Sequence, residues 1–374
     1  MTKTTAPLAA STAPAAGFLG VDWARVDRVL LVGLIAVFAI MDIRLLQIGL
    51  AAQPPGLDFL PLWTGARVDP SRIYDFAYLT DQQNWLFAGK VRPFIYPPSA
   101  LLFFKFFGLM PFWPAYIVLV GGTGALFLWV SRRLGADWRL VLAAMPVVLA
   151  ALVGQATFLI GGLVMAAVMA RGRPVLSGIL FGLAGAIKPQ MLVLLPLALL
   201  FEGNWRTFWA TGLTAAACGV VSLLFGASWI GWLEALPKFT QLVERDPSLV
   251  ATMLTPYARW GHATLLFTVP AAIAGIWLAF RSGDFAQRTL ALLGGALMVS
   301  PYAMHYEIAL VVPAVLALRR PLVWTLPFWL ALIYYPCGPA ALIIAMTLLF
   351  ISLWQDIPRT SRLVLPRWRR PQKA

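Results

Sequence analysis

The sequence predicts an all-α polytopic membrane protein, on three observations. Of 374 residues, 60% are hydrophobic and 12% charged, with a mean hydropathy of +0.80. That balance leaves too little polar surface to clothe a soluble domain of this length. The apolar residues are gathered into runs separated by short polar breaks, enough for about twelve transmembrane segments. Arg and Lys punctuate alternate breaks, the asymmetry left by a chain that crosses back and forth with its basic loops inside. The net charge of +14 is therefore a topology signal, and no nucleic-acid partner is expected. Two cysteines, Cys218 and Cys337, give neither metal spacing nor a disulfide framework.

Residues 1–28 begin with an Ala-, Thr-, Ser- and Pro-rich stretch that has no apolar core, and read as a disordered cytoplasmic tail instead of a signal peptide. Residues 29–50 make the first crossing. Arg25 and Arg28 precede it, which sets the N-terminus inside, and only Asp42, Arg44 and Gln47 interrupt it. Asp42 and Arg44 are two apart, do not share a helical face, and read as structural.

Residues 51–111 form a mixed-polarity first external loop. Within it, 59–68 and 75–87 carry apolar and aromatic residues at helical spacing, which predicts two interfacial helices lying on the membrane. Tyr96-Pro97-Pro98 then stops any helix, and 99–110, carrying Lys105, is too short to span and reads as re-entrant.

The remaining crossings are read by their breaks. The run 112–130 ends at Arg132 and Arg133, 140–153 at Gly154-Gln155, 158–170 at Arg171 and Arg173, and 175–187 at Lys188. The run 191–201 returns to Glu202 and Arg206, and 208–225 opens a second external loop at 226–261. Residues 262–280 descend to Arg281 and Arg288, 289–300 rise to the stretch 301–307, and 308–318 meet Arg319 and Arg320. Two final runs, 322–335 and 340–353, lead to a basic cytoplasmic tail at 355–374, so one membrane domain occupies 29–354. Several runs fall well short of the ~20 residues of a full crossing, which implies short or broken helices around a wet cavity.

This alternation gathers Asp58, Tyr96, Gln155, Lys188, Gln190, Arg259 and His305 on the face opposite the basic loops. Asp58, in Gly56-Leu57-Asp58-Phe59-Leu60-Pro61-Leu62-Trp63, is a lone acid just past the first crossing: a catalytic base, or the cap of a short helix. Lys188 ends an apolar helix, as a mobile cation for an anion or as a side chain snorkelling to the interface. Arg259 is a planar fork for phosphate, or an interface anchor beside Trp260. His305 reads as a donor to a phosphate oxygen or as a satisfied interfacial histidine, and its distance from His262 gives no metal site. Glu307 is a second candidate acid, or a residue that complements a helix dipole. Tyr96 and Gln155 orient sugar hydroxyls or belong to the aromatic belt and loop. Gln190, Tyr302 and Tyr306 complete the set expected at the substrate.

The chain has no phosphate-binding glycine loop after a strand and no Gly-x-Ser-x-Gly motif. A cytosolic nucleotide-using domain is therefore not expected, and an activated substrate has to arrive from the lipid.

Together Asp58-Phe59 with Trp63, Ile73-Tyr74-Asp75, Tyr96-Pro97-Pro98, Gly154-Gln155, Lys188-Pro189-Gln190 and Ser300-Pro301-Tyr302 resemble glycosyltransferase family 87, mannosyltransferase-like proteins of the GT-C superfamily. The resemblance implies an inverting transferase that moves a sugar, commonly mannose, from a polyprenyl-phosphate donor to a lipid or glycan acceptor. The expected place is the outer, periplasmic or extracellular, face of the cell inner membrane. An acid of the first external loop acts as base in such enzymes, a role that maps onto Asp58, while Lys188, Arg259 and His305 are expected at the leaving phosphate. The loop acid is single here where many GT-C enzymes carry an acidic pair, and neither metal nor cofactor is expected. The competing expectations are a transporter or flippase for a lipid-linked or anionic substrate, and a polymerase or ligase of surface polysaccharide.

Overall fold

The computed structural model describes residues 22–52, 54–87, 89, 92–244, 253–318, 320–333 and 338–356. Most of the expected N-terminal tail, nearly all of the basic C-terminal tail, Arg319 and Cys337 lie outside the described residues. Among the described residues there are eighteen α-helices, and the one β feature is an isolated bridge between Met253 and Met304. The first helix, α1 (Trp23–Ala52), begins inside the expected tail and includes its last residues.

The first external loop carries α2 (Leu60–Arg67), α3 (Phe76–Asn84) and α4 (Leu101–Phe104). Then come α5 (Phe112–Leu134), α6 (Trp138–Ala143), α7 (Met145–Val153), α8 (Thr157–Met169), α9 (Pro174–Ile187), α10 (Leu195–Glu202) and α11 (Trp205–Leu224). The second half has α12 (Trp229–Glu244), α13 (Pro256–Trp260), α14 (Leu265–Ser282), α15 (Phe285–Val299), α16 (Val312–Ala317), α17 (Leu326–Ile333) and α18 (Gly338–Asp356). Among the described residues five segments are long and apolar enough to cross a membrane: Trp23–Leu50, Phe112–Leu134, Trp205–Leu224, His262–Ser282 and Gly338–Asp356. Most of the other expected crossings fall on shorter apolar helices, which makes this an all-α polytopic membrane protein.

Proline sets several of the breaks. The run expected as one helix over 140–153 is two, because Pro146 has no N–H to continue the ladder from α6 and instead starts α7, after an extended Ala144. Pro196 and Pro313 stand in the same way at the starts of α10 and α16. Glycines end the helices on the other side: α5, α7 and α10 stop at Gly135, Gly154 and Gly203, each left-handed.

Helix α15 is the hub, buried at every residue from Ala286 to Met298, its first-turn Gln287 and Arg288 paired and the rest almost wholly apolar. Elsewhere α9 and α11 pack closely on each other. A Cβ on Gly178 would stand 2.4 Å from Ala210 Cβ, and one on Gly182 would stand 2.5 Å from Thr214 Cβ. Small residues one turn apart let the two backbones touch, the usual way membrane helices gain contact where no hydrophobic force drives them together.

One expectation about the loops needs correcting. Helix α2 does not lie on the surface: Leu60 through Ala66 are all buried, and Trp63 donates its indole N–H to Met110 O at 2.9 Å. It packs against the stretch expected to be re-entrant, which is a short α/3-10 succession from Pro98 to Leu109. The second external loop, 226–261, holds the sixteen-residue α12 and the short α13.

Polar residues collect at two ends. At one, Glu202 accepts from Arg171 at 2.9 Å and from Arg288 at 2.6 Å, while Gln287 donates to Ser352 at 2.9 Å and to Asp356 at 2.6 Å. These contacts tie the loop after α8 and the ends of α10, α15 and α18, all of which the basic punctuation assigns to one side. At the other end stand Asp58, Gln155 and Lys188.

Candidate active site

Asp58 is placed by its backbone. Gly56 N, Asp58 N and Phe59 N donate to the last carbonyls of α7, at Leu152 O (2.8 Å) and Val153 O (2.9 and 3.1 Å). Gly154 caps α7 with φ +77°, and a Cβ there would lie 2.7 Å from Phe59 Cβ, so only glycine lets the two strands of chain come this close. The clasp sets Gln155 against the acid: Gln155 Nε2 donates to Asp58 Oδ2 at 2.7 Å and to the Tyr306 hydroxyl at 2.8 Å, and Gln155 Oε1 accepts from the Tyr96 hydroxyl at 2.8 Å. One buried amide thus joins residues from the first loop, the end of α7 and the turn after α15.

Tyr96 is fixed in turn. Tyr74 donates to Tyr96 O at 2.8 Å, and Ser99 Oγ, just past Pro97-Pro98, donates to Ala186 O near the end of α9 at 2.6 Å. Tyr302 sits edge-on to Phe239 of α12 with 5.1 Å between ring centres. Burial first, and the Asp58 carboxylate second, push the Tyr96 and Tyr302 phenols well above the usual tyrosine range. Both therefore stay protonated as donors around the acid.

Lys188 caps α9 and forms a buried ion pair with Glu307, the two side chains being 8% and 1% exposed. Glu307 Oε2 also accepts from Met304 N at 2.9 Å, which closes the turn that presents Tyr306 to Gln155. The carboxylate thus has a partner of opposite charge as well as a place at a helix start. His305 is buried, with its Nδ1 3.2 Å from where a Cβ on Gly338 would be, so the start of α18 crowds the ring.

The structure therefore brings Asp58, Tyr96, Gln155 and Tyr306 into one hydrogen-bonded group, with the Lys188–Glu307 pair and Tyr302 in the same end of the bundle. Arg259 is exposed on α13. Its segment joins the site's turn through Leu254 N to Ala303 O at 2.8 Å, but the Arg259 guanidinium makes no hydrogen bond or ion pair with the described residues. Gln190 is half-buried on the 3-10 turn after Lys188, and no hydrogen bond links it to the group among the described residues.

One residue at the acid was not singled out from the sequence. Arg92 Nε lies 3.6 Å from Asp58 Oδ1. Its signal was a cation placed just before Tyr96-Pro97-Pro98, on the face that the positive-inside pattern leaves poor in basic residues.

A partly buried carboxylate, held by an amide and ringed by protonated phenols, suits proton abstraction from a hydroxyl-bearing substrate. No curated protein and no solved structure matches the chain. The sequence model of glycosyltransferase family 87 matches residues 94–301, more than half of the chain, a stretch that takes in Tyr96, Gln155, Lys188, Gln190 and Arg259. On that match the chain belongs to glycosyltransferase family 87.

Proposed function

We propose that the protein transfers a sugar, mannose in the first instance, from a polyprenyl-phosphate donor to a lipid or glycan acceptor, with inversion, at the outer face of the cell inner membrane. The observation that carries this reading is the Asp58 carboxylate, 18% exposed at one end of an apolar bundle and oriented by Gln155 at 2.7 Å. A lipid-borne donor reaches such a site from the bilayer without a cytosolic nucleotide domain.

In the reaction, the acceptor oxygen attacks the anomeric carbon and its proton passes to Asp58. The bond between that carbon and the phosphate oxygen breaks on the opposite face, and the polyprenyl phosphate leaves with the electron pair. Negative charge grows on the phosphate, where cations act most strongly in the transition state. Lys188, Arg259 and His305 are the groups assigned to it, Lys188 through a charge it shares with Glu307. Tyr96, Gln155, Gln190, Tyr302, Tyr306 and Glu307 are assigned to holding the substrate. The polar groups gather at one end of the bundle and not at mid-depth, which favours a transferase over a transporter.

The test is Asp58→Asn in purified protein given a polyprenyl-phosphate sugar and a series of acceptors. Transfer is expected to fall by about 10²-fold or more, the scale of a lost general base. A variant that transfers near the original rate removes Asp58 from the reaction. Solute uptake by reconstituted wild-type protein, with no transfer from any donor, replaces the transferase reading by the transporter one.

A further inference from the structure

Two cations of the first external loop, Arg67 and Lys105, take no part in the chemistry above, and they share one hollow. We propose that this hollow, between the end of α2 and the Pro98–Leu109 segment, holds the phosphate of an anionic phospholipid of the bilayer and so moors the loop that carries Asp58. The mooring follows from the chain's place in a membrane alone, whatever reaction Asp58 carries out.

The hollow measures about 530 Å³ and is lined by Ala66, Arg67, Lys105, Phe106, Gly108 and Leu109, two cations and no acid. Its floor is rigid, because a Cβ on Gly108 would stand 2.9 Å from both Ala66 Cβ and Ala66 O, which puts the two backbones in contact. Arg67 is fixed to that floor. Its Nη1 donates to Gly108 O at 2.8 Å, and the guanidinium lies 4.7 Å from the centre of the Trp63 ring. One N–H group of the guanidinium is thereby used, and among the described residues no other acceptor meets the rest. Lys105 is half-buried, and its ammonium makes no hydrogen bond or ion pair with the described residues. A phosphate between the two cations satisfies both, with Arg67 already aimed and Lys105 free to close on it.

The surroundings decide which anion. Phe106 and Leu109 flank the hollow at 62% and 82% exposed, an apolar surface that lipid covers. Trp85, 68% exposed, packs 6.0 Å from Trp63, the ring beneath Arg67, and exposed indoles settle at the headgroup level of a bilayer. The two cations therefore sit at the height of phospholipid phosphates, with acyl chains beside Phe106 and Leu109. A soluble anion gains nothing from those side chains. Nor is this the place of a leaving phosphate: α2 is roughly 12 Å long, and Asp58 precedes its start whereas Arg67 ends it. A donor whose anomeric carbon faces Asp58 carries its phosphate beside that carbon, close to the acid.

The experiment is hydrogen exchange of the amides of 99–110 in the full chain, read against those of α15. The protein is placed in nanodiscs of phosphatidylcholine alone, or of phosphatidylcholine and phosphatidylglycerol in equal parts. Phosphatidylglycerol is expected to slow exchange over 99–110 about fivefold, the scale of one basic side chain against anionic lipid. Lys105→Gln is expected to lose that difference and Lys105→Arg to keep it. Arg132→Gln with Arg133→Gln, at the far end of α5, is expected to leave it unchanged. High salt is expected to shrink it in wild type, which tests the charge dependence if Lys105→Gln does not fold.

Equal exchange in the two discs overturns the proposal, as does protection that survives Lys105→Gln undiminished. A slowing shared equally by α15 is general stabilisation and overturns the local site. Inorganic phosphate that protects 99–110 as well as phosphatidylglycerol does overturns the assignment to a lipid. Protection by a polyprenyl phosphate and not by phosphatidylglycerol hands the hollow to the donor and overturns the assignment to a bilayer phospholipid.

Discussion

Replacing Lys188 by Met tests whether the cation at the end of α9 serves the scaffold, the substrate, or both. The ammonium and its partner carboxylate are 8% and 1% exposed, so neither side chain has water to fall back on. Deleting the ammonium leaves Glu307 buried with the Met304 N–H still bonded to Oε2 and its charge uncompensated. Losing one partner of such a pair costs about 3–5 kcal/mol, whereas replacing both by apolar side chains of similar volume is often neutral or stabilising. Lys188→Met and Glu307→Leu are therefore each expected to be strongly destabilising, and the double variant to recover most of the loss.

The assay is the rate of thermal inactivation of the fold in detergent, read by size-exclusion and followed for all four members of the cycle, because membrane proteins seldom unfold reversibly. Sugar transfer measured on the recovered double variant then separates the roles. A purely structural pair gives back activity along with stability. A phosphate-binding Lys188 leaves a stable protein that transfers about 10²-fold more slowly, the scale of one lost electrostatic contact in a transition state. Lys188→Met as long-lived as wild type would refute the reasoning, since an enclosed carboxylate cannot lose its counter-charge without cost.

Other substitutions probe the rest of the site. Gly154→Ala combines a left-handed backbone, costing about 1–2 kcal/mol for a residue with a Cβ, with a contact of 2.7 Å to Phe59. It is expected to lower both thermal lifetime and transfer, and wild-type behaviour would show that the clasp between 56–59 and 152–155 is not as described. Gln155→Leu removes the hydrogen bonds to Asp58, Tyr96 and Tyr306 together, and is expected to slow transfer about 10²-fold through misorientation. Combined with Asp58→Asn it should cost little more than Asp58→Asn alone, so additive losses would count against Gln155 acting through the acid. Gly182→Leu drives a side chain into Thr214 and Thr211 and is expected to destabilise by about 1–3 kcal/mol or more. A leucine there without effect on lifetime would mean that α9 and α11 do not pack face to face.

The alternation of basic breaks was enough to sort residues onto two sides before any coordinates, because charge placement relative to a bilayer is a one-dimensional property of the chain. The structure keeps to that sorting: Arg171, Glu202, Arg288 and Asp356 meet at one end, and Asp58, Tyr96, Gln155 and Tyr306 at the other. Tyr96-Pro97-Pro98 likewise announced a break in the helical pattern, since a missing N–H acts on the residue that carries it. The burial of α2 was hidden because its aromatic, apolar face suits a membrane surface and a protein interior equally well. The single run expected over 140–153 hid a break because its apolar composition does not change at Pro146.

Composition, spacing and local stereochemistry in this chain thus determined that it is helical and membrane-spanning, and which polar residues share a face. Partnership was decided only in three dimensions. Nothing local tells Glu307 from any other acid at a helix start, yet folding puts it against Lys188, 119 residues away. The same holds for Gln155, which reaches Asp58 across 97 residues and Tyr306 across 151, and for Arg92, whose place at the acid follows from a buried amide on α3. Such pairings rest on distance and on what each group loses when water is removed, and both quantities exist only once the helices have packed.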